Sequence, residues 1–225
     1  MLCYVDIEHE TVLNDPYRRD AHLTMRMHEK LLFEELAGMP CLVLRYPSIG
    51  QGWIDRINPD AVLISGAQTD WLIYDYGDFD ALMAFIRRWD GPIIGLCGGH
   101  EVVAHAFGAP TGSIRPLHPG EPDPRPDYGP GLLKELGIQE IMVVRRDPLF
   151  DGLPDRVYVE EDHYWAVKEL PPALELLARN EICPIQAFRH RERPIYGIQF
   201  HPERYSSEYP QGRQLLRNFF RLAFE

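Results

Sequence analysis

The chain has 225 residues, 45% of them hydrophobic and 25% charged, enough for one well-packed domain and too few for two ordinary ones. A net charge of −11 argues against a nucleic-acid groove, which needs a basic face. No apolar run approaches the roughly 18 residues of a membrane span, and residues 1–10 lack the basic and apolar regions of a signal peptide, so a cytoplasmic protein is expected.

Leu2–Ile7 reads as a first buried strand, and Glu8–Asp15 as an acidic polar loop ending at Pro16. From Asp20 to Ala37, Leu23, Met27, Leu31, Leu32 and Leu36 recur at helical spacing, with Gly38 closing the helix. Cys41–Tyr46 and Ala61–Gly66 are strands, Phe79–Trp89 is a helix, and Pro92–Leu96 is a strand running into a second helix over Glu101–Phe107. This alternation predicts an α/β domain spanning 1–225, with a mostly parallel central sheet flanked by helices. Ligands of such sheets bind beyond the carboxyl ends of the strands.

Beyond Gly108 the texture changes. Leu117–Gly131 carries Pro119, Pro122, Pro124, Pro126 and Pro130 and little apolar content, which predicts an exposed loop or flap. Short strands follow at Ile141–Val144, Arg156–Glu160, Ala173–Ala178 and Ile185–His190, a small antiparallel set. The last pairs with Pro194–Phe200 across a turn at Arg191-Glu192, and the basic run Arg189-His190-Arg191 reads as a solvated hairpin tip. Tyr209–Phe224 closes the pattern as an amphipathic helix.

Chemistry concentrates at two strand ends. Gly95-Leu96-Cys97-Gly98-Gly99 fits a nucleophile elbow with cysteine as the nucleophile. Such a turn is strained, so its neighbours must be small, and it sets the side chain at the positive end of the next helix, which favours thiolate over thiol. Alone, the stretch also fits a βα turn around a buried cysteine. The second strand end is Phe200-His201-Pro202-Glu203, which offers a base and a carboxylate to orient it. Cys3, Cys41 and Cys183 lie in apolar segments with no Cys-x-x-Cys, and a reducing compartment suits all four cysteines. His100 and His105 are five positions apart, which turns them roughly 140° from each other on a helix and rejects a zinc protease motif. No phosphate-binding P-loop occurs.

Together, Gly-Leu-Cys-Gly-Gly-His at 95–100 and Gly-Ile-Gln-Phe-His-Pro-Glu at 197–203 resemble the class I glutamine amidotransferases, whose architecture is flavodoxin-like. The resemblance runs from about Ala61 to the C-terminus. It implies a Cys97-His201-Glu203 triad hydrolysing the γ-amide of glutamine or a γ-glutamyl compound, with Gly98 and Ala67 N–H groups as oxyanion hole. Gly66, Glu101, Asp162, His163 and Tyr164 stand where the family contacts its substrate. Glu101 replaces the usual glutamine and Asp162 a serine or asparagine; either both are ionised and the pocket favours γ-glutamyl amines, or Glu101 receives the substrate's α-ammonium while Asp162 caps a turn and points away. His163 reads as structural, since His201 carries the Pro-Glu partner. No metal or other cofactor is implied. Two other readings stand beside free hydrolysis: a glutaminase subunit feeding ammonia to a synthetase on another chain, and a non-catalytic binding module.

Overall fold

The computed structural model describes residues 1–224. Its centre is one nine-stranded mixed sheet. The first half is parallel and contains β1 (Leu2–Asp6), β2 (Cys41–Arg45), β3 (Ala61–Ile64) and β4 (Ile93–Leu96). A short β5 (Thr111–Ser113) lies outside this sheet. The other half is built from β6 (Glu135–Val143), β7 (Arg156–His163), β9 (Leu174–Arg179), β10 (Ala187–His190) and β11 (Ile195–Ile198), while β8 (Trp165–Val167) pairs with β5. The order is β2-β1-β3-β4-β11-β10-β9-β6-β7. Strand β11 joins the halves, parallel to β4 and antiparallel to β10. The antiparallel set expected from the sequence extends the main sheet.

Alternation along the strands sends side chains to two cores. On one face, Cys3, Val5, Val62, Ile64 and Ile93 pack under α4 (Asp80–Arg88) and α5 (Gly98–Ala106). On the other, Leu2, Tyr4, Leu63, Ile94 and Leu96 meet Phe33 of α2 (Pro16–Ala37) and Phe219 and Phe220 of α6 (Gln211–Phe224). The five-residue helix α1 (Glu10–Asn14) lies in the stretch read as a polar loop, and a second short helix, α3 (Trp53–Ile57), precedes β3. Among the described residues, no helix is long and apolar enough to cross a membrane.

Helix α2 departs from its apolar pattern. Leu23, Met27 and Leu31 are about half exposed, and the residues it buries are His22, Arg26, Glu29 and Phe33. The polar face can go inward because buried acids wait for it at the end of β1. Asp6 accepts from His22 Nε2 at 2.9 Å and Arg26 Nε at 3.0 Å. The tip of the β10–β11 hairpin also differs from a solvated turn: Arg189 pairs with Asp147 and Glu175, and Arg191 with Glu175.

Candidate active site

Four parallel-strand ends meet at one ridge: Asp6 to Glu8 after β1, Ser65 to Ala67 after β3, Cys97 after β4 and His201 after β11. Cys97 has φ 49° and ψ −110°, a left-handed backbone costing a non-glycine residue roughly 1–3 kcal/mol. The tight turn explains its glycines. A Cβ on Gly95 would sit 2.2 Å from the Gly99 carbonyl oxygen, and one on Gly99 would sit 2.3 Å from that of Ile64. The Cys97 N–H donates to the Ile198 carbonyl at 2.9 Å, fixing the elbow to β11.

His201 lies beside this thiol. A Cβ added at Gly66 would touch both, 3.7 Å from Cys97 Sγ and 3.3 Å from His201 Cε1. His201 Nδ1 bonds Glu203 Oε1 at 2.6 Å, and its buried Nε2 has no hydrogen-bond partner. Burial alone would depress the imidazole pKa; the Glu203 carboxylate and then Cys97 outweigh it and lift it to about 10. Glu203 is held below the usual carboxylate range, its burial outweighed by His201. The other thiols, Cys3, Cys41 and Cys183, are pushed up to about 12 by burial.

Ala67 N is near the elbow, 3.3 Å from where a Cβ on Gly98 would stand. Among the described residues, neither Ala67 N–H nor Gly98 N–H has a protein acceptor. Two free N–H groups beside a thiol are suited to a negative oxygen. Gly66, next to Ala67 in the chain, abuts both Cys97 and His201.

A cleft of about 260 Å³ opens at Cys97, lined by Ala67, Gly98, Glu101, His163 and Tyr164, together with Thr69, Trp71, Tyr128 and Trp165. Glu101 Oε1 accepts from Gln199 Nε2 at 3.4 Å, and burial pushes its pKa up to about 7. His163 also lines the cleft, but both its nitrogens are engaged: Nδ1 with the Trp165 carbonyl at 2.8 Å, Nε2 with Glu135 at 3.0 Å and Glu161 at 3.3 Å. Those carboxylates overcome burial and raise its pKa well above the usual value. Glu135, His163 and Cys183 also lie close enough together to hold a metal ion, but His163 Nε2 is already hydrogen-bonded to Glu135 Oε2 at 3.0 Å.

Asp162 does not project an open charge into the cleft. Its carboxylate bridges Arg125 Nη1 at 2.6 Å and Arg204 Nη1 at 3.1 Å, and sits in an adjoining vestibule of about 360 Å³ with Gly66, Ala67 and His201. The two-charge pocket is thereby corrected: the arginines neutralise one of its charges. Arg125 comes from the proline-rich segment, which is an ordered flap. Buried Lys134 gathers Asp123 Oδ1 and the Gly129 and Leu132 carbonyls, and Tyr128 reaches over the cleft to meet the Tyr164 ring edge-on at 4.7 Å. Sequence reasoning missed Arg125, Tyr128 and Arg204, as well as Glu8 and Arg26 beneath the oxyanion loop. Only the helical spacing of His22, Arg26 and Glu29 could have signalled a buried polar face.

Residues 29–223 match the family described as glutamine amidotransferase class-I. The chain belongs to this family. The enzyme class expected from the sequence, a cysteine-dependent glutamine amidotransferase-like hydrolase, is therefore this chain's own. It is 36% identical over 172 residues to a glutamine-hydrolysing GMP synthase subunit from Pyrococcus abyssi, covering 76% of this chain and 80% of that one. The subunit of the same name from Methanococcoides burtonii is 31% identical over 165 residues, covering 73% and 74%. Among solved structures, a putative GMP synthase subunit from Thermoplasma acidophilum superposes with a TM-score of 0.72 at 24% identity, covering 99% of this chain and 94% of that one. A Thermotoga maritima glutamine amidotransferase gives 0.67 at 15% identity, covering 100% and 99%. At those identities the structures speak for the fold.

Proposed function

We propose that this chain hydrolyses the γ-amide of glutamine through a Cys97 γ-glutamyl thioester and delivers the ammonia to a synthetase on a separate chain. The observation that carries the chemistry is the pairing of an unpartnered His201 Nε2 with a strained, elbow-borne Cys97. The Cys97 thiolate adds to the amide carbon, and the oxyanion is received by the Gly98 and Ala67 N–H groups. His201, protonated on Nε2, gives its proton to the amide nitrogen as the C–N bond breaks and ammonia leaves. Neutral His201 then takes a proton from water, hydroxide adds to the thioester, and the C–S bond breaks to release glutamate and the thiolate. Glu203 holds the imidazole in orientation through Nδ1. No step calls for a cofactor.

The partner reading is favoured over free-standing hydrolysis by the relatives, which are named as single subunits of glutamine-hydrolysing GMP synthases. Preference for γ-glutamyl amines loses support, because Asp162 is already paired with two arginines. Ammonia release from glutamine by the full chain tests the proposal, measured alone and with the synthetase chain of a GMP synthase, and with Cys97→Ala as control. Turnover that depends on Cys97 and rises on adding the partner is expected. Turnover unaffected by Cys97→Ala contradicts the chemistry, and no response to the partner contradicts the two-chain reading.

A further inference from the structure

Helix α2 reaches the Gly66 carbonyl of the oxyanion loop from behind through Arg26. Arg26 is 5% exposed, and its Nη2 donates to the Gly66 carbonyl at 2.6 Å. Its other donors are fixed by Asp6 Oδ1 at 3.0 Å, Glu29 Oε2 at 2.7 Å and the Tyr4 hydroxyl at 3.1 Å. Ser65 Oγ adds a second hydrogen bond to the Gly66 carbonyl at 2.8 Å.

That carbonyl shares a peptide plane with the Ala67 N–H. In a trans peptide the two point in opposite directions, and the described chain has no cis bond. Anchoring the oxygen toward α2 therefore aims the N–H away from α2, toward Gly98 and the Cys97 cleft. On the other side of Ala67, buried Glu8 accepts from the Gln68 N–H at 2.7 Å and the Thr69 N–H at 3.2 Å. The loop is thus gripped on both sides, and of the three successive N–H groups only that of Ala67 is left over.

We propose that Arg26 is a positioning residue for the oxyanion hole: its guanidinium holds the Gly66–Ala67 peptide with the N–H facing the oxygen that forms on the Cys97 adduct. A cation on the carbonyl also polarises the peptide, which strengthens the opposite N–H as a donor. Turned the other way, the peptide would set a carbonyl oxygen against the oxyanion. The inference rests on the Cys97 and Ala67 roles proposed above.

The test separates oxyanion formation from thiol reactivity. Acyl transfer from glutamine passes through a tetrahedral oxyanion, whereas alkylation of Cys97 by iodoacetamide does not. Losing one oxyanion donor costs an enzyme about 10²–10³ in kcat, and a misaimed donor costs less. Arg26→Gln should lower kcat for glutamine about 50-fold with KM within about threefold, while Cys97 alkylation stays within about twofold. Arg26→Lys, which can still donate to the Gly66 carbonyl, should recover part of the loss. Ser65→Ala, which keeps Arg26 and its buried partners intact, should lower kcat about threefold with alkylation unchanged, and it serves if Arg26→Gln does not fold. Alkylation falling in step with kcat, or kcat unchanged in Arg26→Gln or, where that variant does not fold, in Ser65→Ala, overturns the proposal. Failure of the underlying reading shows up separately, as turnover surviving Cys97→Ala.

Discussion

Two buried histidines, each beside acids and each with a raised pKa, differ in one atom. His201 uses Nδ1 on Glu203 and leaves Nε2 unpartnered next to Cys97. His163 uses Nδ1 on the Trp165 carbonyl and Nε2 on Glu135 and Glu161, so nothing is left to move a proton. The first can serve as an acid–base group. The second ties β7 to Glu135 at the start of β6, where Gln186 Nε2 also donates to Glu135 at 3.0 Å. A raised pKa thus marks both chemistry and architecture, and the spare nitrogen separates them.

Substitution should break this comparison cleanly. His201→Ala should lower kcat for glutamine by about 10⁴ or more with the fold retained, and Glu203→Gln by about 10²–10³, measured by ammonia release. His163→Asn should do the reverse. Turnover should stay within about tenfold of the parent, but unfolding free energy should drop by about 3–5 kcal/mol in urea titration, because buried Glu135 and Glu161 lose the imidazole they both face. Equal kinetic damage from His163→Asn and His201→Ala, with His163→Asn still stable, would erase the distinction.

A smaller effect is electrostatic and belongs to Glu101, which shares the cleft with His163. Its carboxyl pKa rises from 4.5 to about 7 on folding, because burial disfavours the charge. Between those values the folded chain binds a proton that the unfolded chain has lost, so stability falls as pH rises through the window. At about 1.4 kcal/mol per pH unit, the loss by pH 8 is of order 3 kcal/mol. Glu101→Gln should therefore be more stable than the parent at pH 8 and no more stable at pH 4, read from paired denaturation curves. A gain at pH 4 equal to that at pH 8 would mean that packing, and not charge, is the cause.

The smallest contrast is among thiols. Burial pushes the three structural cysteines up to about 12, so brief iodoacetamide treatment at neutral pH should label Cys97 first. Peptide mapping that finds Cys3, Cys41 or Cys183 labelled ahead of it would contradict the site.

The apolar runs at β1, β3, β4 and β11 and the strong periodicity of α4 and α6 are legible because burial there is decided by neighbours close in sequence. The elbow and the His201-Pro202-Glu203 step are legible for the same reason, since each packs its chemistry into a few residues. Helix α2 is not. Which of its faces turns inward depends on Asp6, Glu8 and Tyr4, and against those partners the stripe of Leu23, Met27 and Leu31 loses to His22, Arg26 and Glu29. The flap is similar: its prolines announce a loop, but its order comes from Lys134 on Asp123 and Arg125 on Asp162. Strands β6 and β7 run longer than their apolar residues suggest because each completes the other's hydrogen bonds.

The central claim, a covalent γ-glutamyl enzyme on Cys97, is open to direct observation. The parent chain would be mixed with glutamine, quenched in acid during turnover and digested for peptide mass mapping, with His201→Ala treated alongside. A γ-glutamyl adduct on the Cys97 peptide of the parent, much reduced in His201→Ala, is the expected result. An adduct on another residue, or ammonia release with no adduct on Cys97 at any quench time, would contradict the account.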